Sequence, residues 1–364
     1  MMTLHLDQDA FAVLIDDIHQ RTGYRTDVLE KDYYVVLLLE ELAQKQANGL
    51  KAYFKGGTAL YKALKTTNRF SEDIDLSVDT RECSRTQNDK RLEQATKKYA
   101  ALQRNAEEGR TNRSEVIAVY RYDPVVPFDR DDALQRFGKL KVEATSFTIS
   151  EPVTSLEVSA MLYDLASEEQ KQILRETYGV KPFQVQTITL ERIFIDKLFA
   201  AEAYVRKSKD GHRAFEAAKH IYDLAVLAEH PQILKLYQDA AQMEYLLSIR
   251  MEEERERLDG IPNVSPDTFT FFHAVAVNND VKSAYDVMQN QYVLRDQDRI
   301  PFETAVIKLQ FIFNELNANR AWNPALQQSD PAKPQSVREQ LAQFRKTQKD
   351  AQPHHKNKTD REER

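Results

Sequence analysis

Apolar residues recur every three to four positions through residues 8–48, which predicts two helices. The second, Asp27-Val-Leu-Glu-Lys-Asp-Tyr-Tyr-Val-Val-Leu-Leu-Leu, has Asp27 as an N-cap candidate. The pattern then switches. Residues 52–55 read as a short strand running into Gly56-Gly57, and residues 58–65 as a helix with Thr58 available as its cap. After a turn at 66–69, residues 71–78 alternate as a second strand. Residues 86–108 read as a polar helix, 115–122 as a strand, and Pro124, Pro127 and residues 129–132 as a loop. Strands follow at 139–147 and 156–162. Beyond residue 185 the period becomes helical, over 189–206, 214–228, 231–254, 283–290 and 301–318.

This order predicts an α+β fold, a mixed sheet under a helical cover followed by a mainly helical region. The expected division is a first domain over 1–185, a helical domain over 186–327 and a polar tail over 328–364. The tail is rich in Gln, Lys, Ser, Asp and Pro, a composition that buries no core.

Composition narrows the class. The 364 residues are 41% hydrophobic and 30% charged, as in soluble globular proteins. No stretch approaches the length of a membrane span, and the N-terminus lacks a signal-peptide pattern. The single cysteine, Cys83, excludes an intramolecular disulfide and a cysteine-built metal site, and a cytoplasmic setting is the simplest expectation. Cys83 is given no catalytic role. The net charge of −6 does not mark a nucleic-acid binder, although local basic stretches can act against a global balance. One such stretch holds Arg85, Lys90, Arg91, Lys97, Lys98, Arg104, Arg110 and Arg113. A second holds Lys197, Arg206, Lys207, Lys209, His212, Arg213, Lys219 and His220. Acidic residues interleave with both, so solvated faces are the plainer reading. His212 and His220 read as surface residues.

The chemistry concentrates in Phe54-Lys-Gly-Gly-Thr-Ala-Leu-Tyr-Lys62 and Arg69-Phe-Ser-Glu-Asp-Ile-Asp-Leu76. Strand alternation puts Asp73 and Asp75 on one face and Ile74, Leu76 and Val78 on the other. Two adjacent carboxylates repel, and a divalent cation relieves that cost; hard oxygen ligands suit Mg²⁺ or Mn²⁺. Gly56 and Gly57 permit a tight turn and close approach of backbone N–H groups to an anion, and Thr58 adds a hydroxyl. A third carboxylate would complete the set. Glu143 is preferred, with Glu157 as its rival by the same alternation.

These motifs resemble the AbiEii/AbiGii toxin family of nucleotidyltransferases, which includes the MenT-type toxins and belongs to the DNA polymerase β-like superfamily. Leu29-Glu-Lys-Asp-Tyr-Tyr-Val-Val resembles that family's N-terminal helix. Thr189-Leu-Glu-Arg-Ile-Phe-Ile-Asp-Lys197 resembles its third motif. Lys219-His-Ile-Tyr-Asp-Leu224 resembles its fourth, with Lys219-His220 where Arg-Asp is usual and Asp223 retained. The resemblance spans roughly residues 25–230 and implies a nucleotidyltransferase-type sheet. It implies Asp73 and Asp75 as ligands of the metal, Gly56, Gly57, Thr58 and Ser71 as phosphate neighbours, and Lys197 as a triphosphate contact. Asp223 would orient Lys197 or a base contact, and Glu143 would join the metal or take a proton. Lys62 and Arg69 either face the nucleotide or pin the turn by local ion pairs; Lys197, without the resemblance, would be a charge on a helix surface.

The activity so implied is metal-dependent transfer from an NTP to RNA, tRNA by family resemblance, with pyrophosphate released. The setting is a toxin–antitoxin or abortive-infection (phage-defence) system with a cognate antitoxin. Two other readings compete: transfer to a protein or small molecule, and a non-catalytic nucleotide-binding module.

Overall fold

The computed structural model describes residues 3–127, 138–256, 266–323 and 326. The expected loop at 129–132 and the tail from 328 lie outside the described residues. Helices α1 (Gln8–Thr22) and α2 (Thr26–Ala47) lead, broken at Gly23, whose φ of +76° ends α1 in a left-handed turn. Then come β1 (Ala52–Lys55), α3 (Gly56–Lys62), β2 (Ile74–Val78), α4 (Arg85–Thr96), β3 (Gln103–Thr111), β4 (Glu115–Arg121), β5 (Lys139–Thr145) and β6 (Val153–Val158). Helices α5 (Met161–Asp164) and α6 (Glu168–Glu176) precede β7 (Phe183–Ile188). The remaining described elements are helices: α7 (Leu190–Arg206), α8 (Gly211–Leu227), α9 (Pro231–Gln238), α10 (Ala240–Glu256), α11 (Phe271–Ala274), α12 (Asn279–Tyr292) and α13 (Phe302–Ala318).

The α+β expectation holds. One seven-stranded mixed sheet runs in the order β3-β4-β5-β2-β1-β7-β6. The β2/β5 and β1/β7 pairs are parallel and the others antiparallel. Phe54, Ile74, Leu76, Val142, Ala144, Val116 and Ala118 are buried on one face, as alternation requires. Helix α2 is tied to the sheet at its C-terminal end, where the Gln46 amide donates to the Ala52 and Gln186 carbonyls and accepts from the Gln186 N–H. No described helix is long and apolar enough to cross a membrane.

Several expected elements differ, each for a local reason. The polar stretch 86–108 splits: α4 ends at Thr96 and β3 begins at Gln103. Strand β3 is exposed along nearly its whole length, so no buried face imprints alternation on it. The strand expected over 156–162 stops at Val158, and Met161 opens α5. The helix expected over 231–254 breaks at Asp239, whose side chain accepts from the Gln242 N–H at the start of α10. Asp27 is not the cap of α2; the helix starts at Thr26, and Asp27 pairs with Arg25 at 2.6 Å. Helix α6 and strand β7 were not anticipated, and the boundary expected at 185 falls within β7.

Helix α2 is buried on nearly every side, and its charged run Glu30-Lys31-Asp32 is buried with it. Each charge therefore has a partner. Lys31 Nζ lies 2.6 Å from Glu72 Oε2, and Asp32 Oδ1 lies 2.7 Å from Lys62 Nζ while Oδ2 accepts from the Met161 N–H. Glu30 Oε1 accepts from the Val125 N–H. Burial pushes the Glu30 carboxyl up to about 7, with Asp27 adding to the rise and the Val125 and Val126 N–H groups opposing it.

A carboxyl raised in the fold favours the native state below its unfolded value and loses that contribution as pH rises through about 7. Glu30→Gln should flatten the pH dependence of stability by up to ~3 kcal/mol between about pH 5 and about pH 8, read from urea unfolding. An unchanged slope would contradict the assignment.

Candidate active site

The two glycine–aspartate motifs converge because strand register lines them up. Lys55 on β1 is opposite Asp75 on β2, Asp75 is beside Glu143 on β5, and Glu143 is opposite Ile117 on β4. Residues in register on neighbouring strands project from the same face. Lys55, Asp75 and Glu143 thus form one row across the centre of the sheet, on the face away from Phe54, Leu76 and Val142. Asp73 lies two residues before Asp75, just ahead of β2, and its Oδ2 is 3.3 Å from Lys141 Nζ.

The glycines are dictated by these side chains. Gly56 has φ of +80°, and a Cβ built on it would stand 2.1 Å from Asp75 Oδ2. A Cβ on Gly57 would stand 2.9 Å from both an Arg69 guanidinium nitrogen and Ser71 Oγ. Both distances are shorter than a Cβ tolerates, so the turn admits Asp75, Arg69 and Ser71 only because side chains are missing there. Thr58 is neither cap nor free donor. Helix α3 starts two residues earlier, at Gly56, and the fully buried Thr58 hydroxyl donates to the Asp73 carbonyl and meets Ser71 Oγ at 2.9 Å.

Charge is crowded along the row. Burial, then Glu143 and Asp73, push Asp75 up to about 7, while Lys55 and Lys197 pull against the rise. Glu143 is raised by burial and by Glu115, with Lys141 and Lys55 opposing. Glu157 stands apart on β6 at the sheet edge, paired with Gln184 of β7 and three strands from β2.

A buried cluster that draws on the helical region acts on the row through Lys197. Asp223 of α8 binds Arg69 bidentately, Oδ1 to Nε at 3.0 Å and Oδ2 to a terminal nitrogen at 2.9 Å. Its Oδ2 is also 2.7 Å from Lys197 Nζ of α7. Asp223 is wholly buried, which alone would raise its carboxyl, but Arg69 and Lys197 hold it well below the usual range. The backbone around Arg69 is fastened to the end of α12: the Phe70 N–H donates to the Tyr292 carbonyl and the Leu294 N–H to the Asn68 carbonyl. Lys62 is elsewhere, paired with Asp32, so it pins α3 to α2. The second basic stretch is not one solvated face. Lys197 is buried, and His220 stacks on Tyr204 with its Nδ1 enclosed, where burial and Lys197 drive its pKa well down.

Sequence reasoning missed Lys55, Lys141 and the Lys31–Glu72 pair. Lys55 and Lys141 carry a readable signal, since each shares the alternating face of a selected carboxylate, Lys55 across the pair and Lys141 two residues before Glu143. The Lys31–Glu72 pair has none, because it joins α2 to a loop.

Among the described residues no three of His, Cys, Asp and Glu stand ready to enclose a metal ion. The donor chemistry nevertheless fits a hard divalent cation. Asp73 and Asp75 offer carboxylate oxygens, Asp75 carries repulsion that a cation relieves, and the Lys141 ammonium already stands against Asp73 as a positive charge.

A protein-family model described as Nucleotidyl transferase AbiEii toxin, Type IV TA system, matches residues 37–355. No curated protein matches the chain. Among solved structures, JHP933 from Helicobacter pylori is 19% identical, covering 84% of this chain and 99% of that one, with a TM-score of 0.39. MenT4, a nucleotidyltransferase toxin from Mycobacterium tuberculosis H37Rv, is 16% identical over 82% of this chain and 98% of that one, with a TM-score of 0.36. Scores this low transfer no residue's role.

Removing Asp223 leaves two buried cations facing each other. Asp223→Ala should destabilise the fold by about 3–5 kcal/mol in chemical denaturation. A loss below about 1 kcal/mol would show that Arg69 and Lys197 reach water without it.

Proposed function

The chain belongs to the AbiEii nucleotidyl transferase toxin family of type IV toxin–antitoxin systems, and we propose that it moves a nucleotide from an NTP onto an RNA. The acceptor we favour is tRNA, from the motif resemblance, and the partner is a cognate antitoxin. The observation that carries the reading is the central row in which Asp75 and Glu143 stand side by side, with Asp73 adjacent and Asp75 packed against Gly56.

In this reading Asp73 and Asp75 would hold Mg²⁺ or Mn²⁺. When bound, the metal offsets phosphate charge and polarises the α-phosphate. The protein's own groups do the rest. The Gly56-Gly57 turn would present its backbone to phosphate oxygens, with Asp75, Arg69 and Ser71 packed where its Cβ atoms would stand. Glu143, raised by burial, is suited to take the proton from the attacking hydroxyl. The bond from that oxygen to the α-phosphorus forms as the bond to pyrophosphate breaks. Lys197 is held by Asp223 close enough to act on Asp75 through space, and it would offset negative charge as the phosphates gather. Arg69 locks the turn through Asp223. Lys62 has a structural role through Asp32, and Thr58 through the Asp73 carbonyl. Residues 1–185 would supply the catalytic groups other than Lys197 and Asp223, which the helical part over 186–327 would contribute.

Incubation with radiolabelled NTPs, Mg²⁺ and total RNA should label RNA, and expression without the antitoxin should arrest growth. Asp73→Ala and Asp75→Asn should each lower transfer by at least about a hundredfold and abolish toxicity. Label on protein in place of RNA would move the acceptor to a side chain. Full toxicity of both variants would remove the metal assignment.

A further inference from the structure

The cations around the row are almost all committed to carboxylates. Arg69 and Lys197 are held by Asp223, Lys62 by Asp32, Lys31 by Glu72 and Lys141 by Asp73. Lys55 differs. Among the described residues its one polar contact is a neutral hydroxyl, Thr145 Oγ1 at 3.2 Å. An ammonium has three N–H donors, so this contact leaves two unspent.

The hydroxyl that holds Lys55 is itself anchored. Thr145 Oγ1 meets Thr148 Oγ1 at 3.1 Å, Thr148 Oγ1 meets Ser77 Oγ at 2.6 Å, and Ser77 Oγ meets Ser150 Oγ at 2.8 Å. Ser77, Thr145 and Ser150 are all buried. The chain of hydroxyls is neutral throughout, so it orients the ammonium and leaves its charge uncancelled. Lys55 is only half-buried, on the open face of the sheet, in register with Asp75 and immediately before Gly56. It acts on Asp75 and Glu143 through space but forms no ion pair with either.

Resting on the nucleotidyl-transfer reading, we propose that Lys55 is a phosphate-binding residue of this site, held by Thr145 so that its free N–H donors meet an oxygen of the polyphosphate that leaves. A lysine suits this task as a compact point charge with rotatable donors. The commitments of the other cations set it apart: Lys197 and Arg69 already share the buried Asp223 carboxylate, whereas Lys55 brings a charge with no carboxylate partner among the described residues.

The test uses inorganic tripolyphosphate, which has no base to prefer, with Mg²⁺ and the full chain in isothermal titration calorimetry. Mn²⁺ binding without phosphate, followed by electron paramagnetic resonance, reads the metal site separately. Lys55→Met should weaken tripolyphosphate by about tenfold or more, the loss of one charge-assisted contact, while leaving Mn²⁺ affinity unchanged or tighter. Lys55→Arg should restore most of the affinity. Thr145→Val leaves the charge but frees its anchor, and should weaken tripolyphosphate by about threefold with a native circular-dichroism spectrum. Equal tripolyphosphate affinity in wild type and Lys55→Met would overturn the role of Lys55 and leave the transfer reading standing. Wild-type protein that binds neither Mn²⁺ nor tripolyphosphate would overturn the transfer reading itself.

Discussion

One buried carboxylate joins the sheet to the helices. Asp223 takes a guanidinium from the segment leading into β2 and an ammonium from α7, with no exposure of its own. Burying an isolated carboxylate is costly, and so is burying either cation, but two cations against one carboxylate satisfy all three at the expense of a net positive centre. That centre acts on the row, where Glu143 and Asp73 repel Asp75 and Lys197 opposes them. The helical region is therefore not an appendage: its Asp223 pairs with Arg69 from the segment before β2, and its Lys197 acts on Asp75 of the row.

The same electrostatic constraint shapes the local backbone. Asp75 and Glu143 can stand side by side at the middle of a sheet only if cations surround them and the neighbouring turn leaves room. Gly56 leaves that room, with a backbone angle that a side chain would strain. Lys55 ends the row, tethered to a hydroxyl, and Lys141, two residues before Glu143, is paired with Asp73. The family to which the chain belongs acts on nucleotides, and a site with unspent negative charge beside an unspent ammonium is suited to a metal–polyphosphate, which carries both signs.

Much of this was legible in the residues. Alternation around Asp73-Ile-Asp75 and Lys139 to Phe147 assigned each carboxylate to a face, and the glycine pair marked the close approach. The α+β order followed from where the period changed from two to nearly four. Other elements were invisible for physical reasons. Strand β3 is exposed and polar, so nothing in its side chains distinguishes it from the helix before it. Strand β7 is short and sits beside a long helical pattern, and only its pairing with β1 and β6 defines it.

By itself the sequence determined which residues share a strand face, where the chain must turn and which family motifs it carries, because those depend on local period and backbone freedom. It left open whether Glu143 or Glu157 is the third carboxylate, and whether Lys62 and Arg69 face a ligand or pin the fold. The tertiary structure gives each of them its neighbours. Register places Glu143 beside Asp75 and Glu157 at the far edge. Packing gives Lys62 to Asp32, Arg69 and Lys197 to Asp223, and the Thr58 hydroxyl to the Asp73 carbonyl. The reason is common to all of them: a buried charge or hydroxyl takes the partner that folding brings to it, and those partners lie up to 154 residues away in the chain.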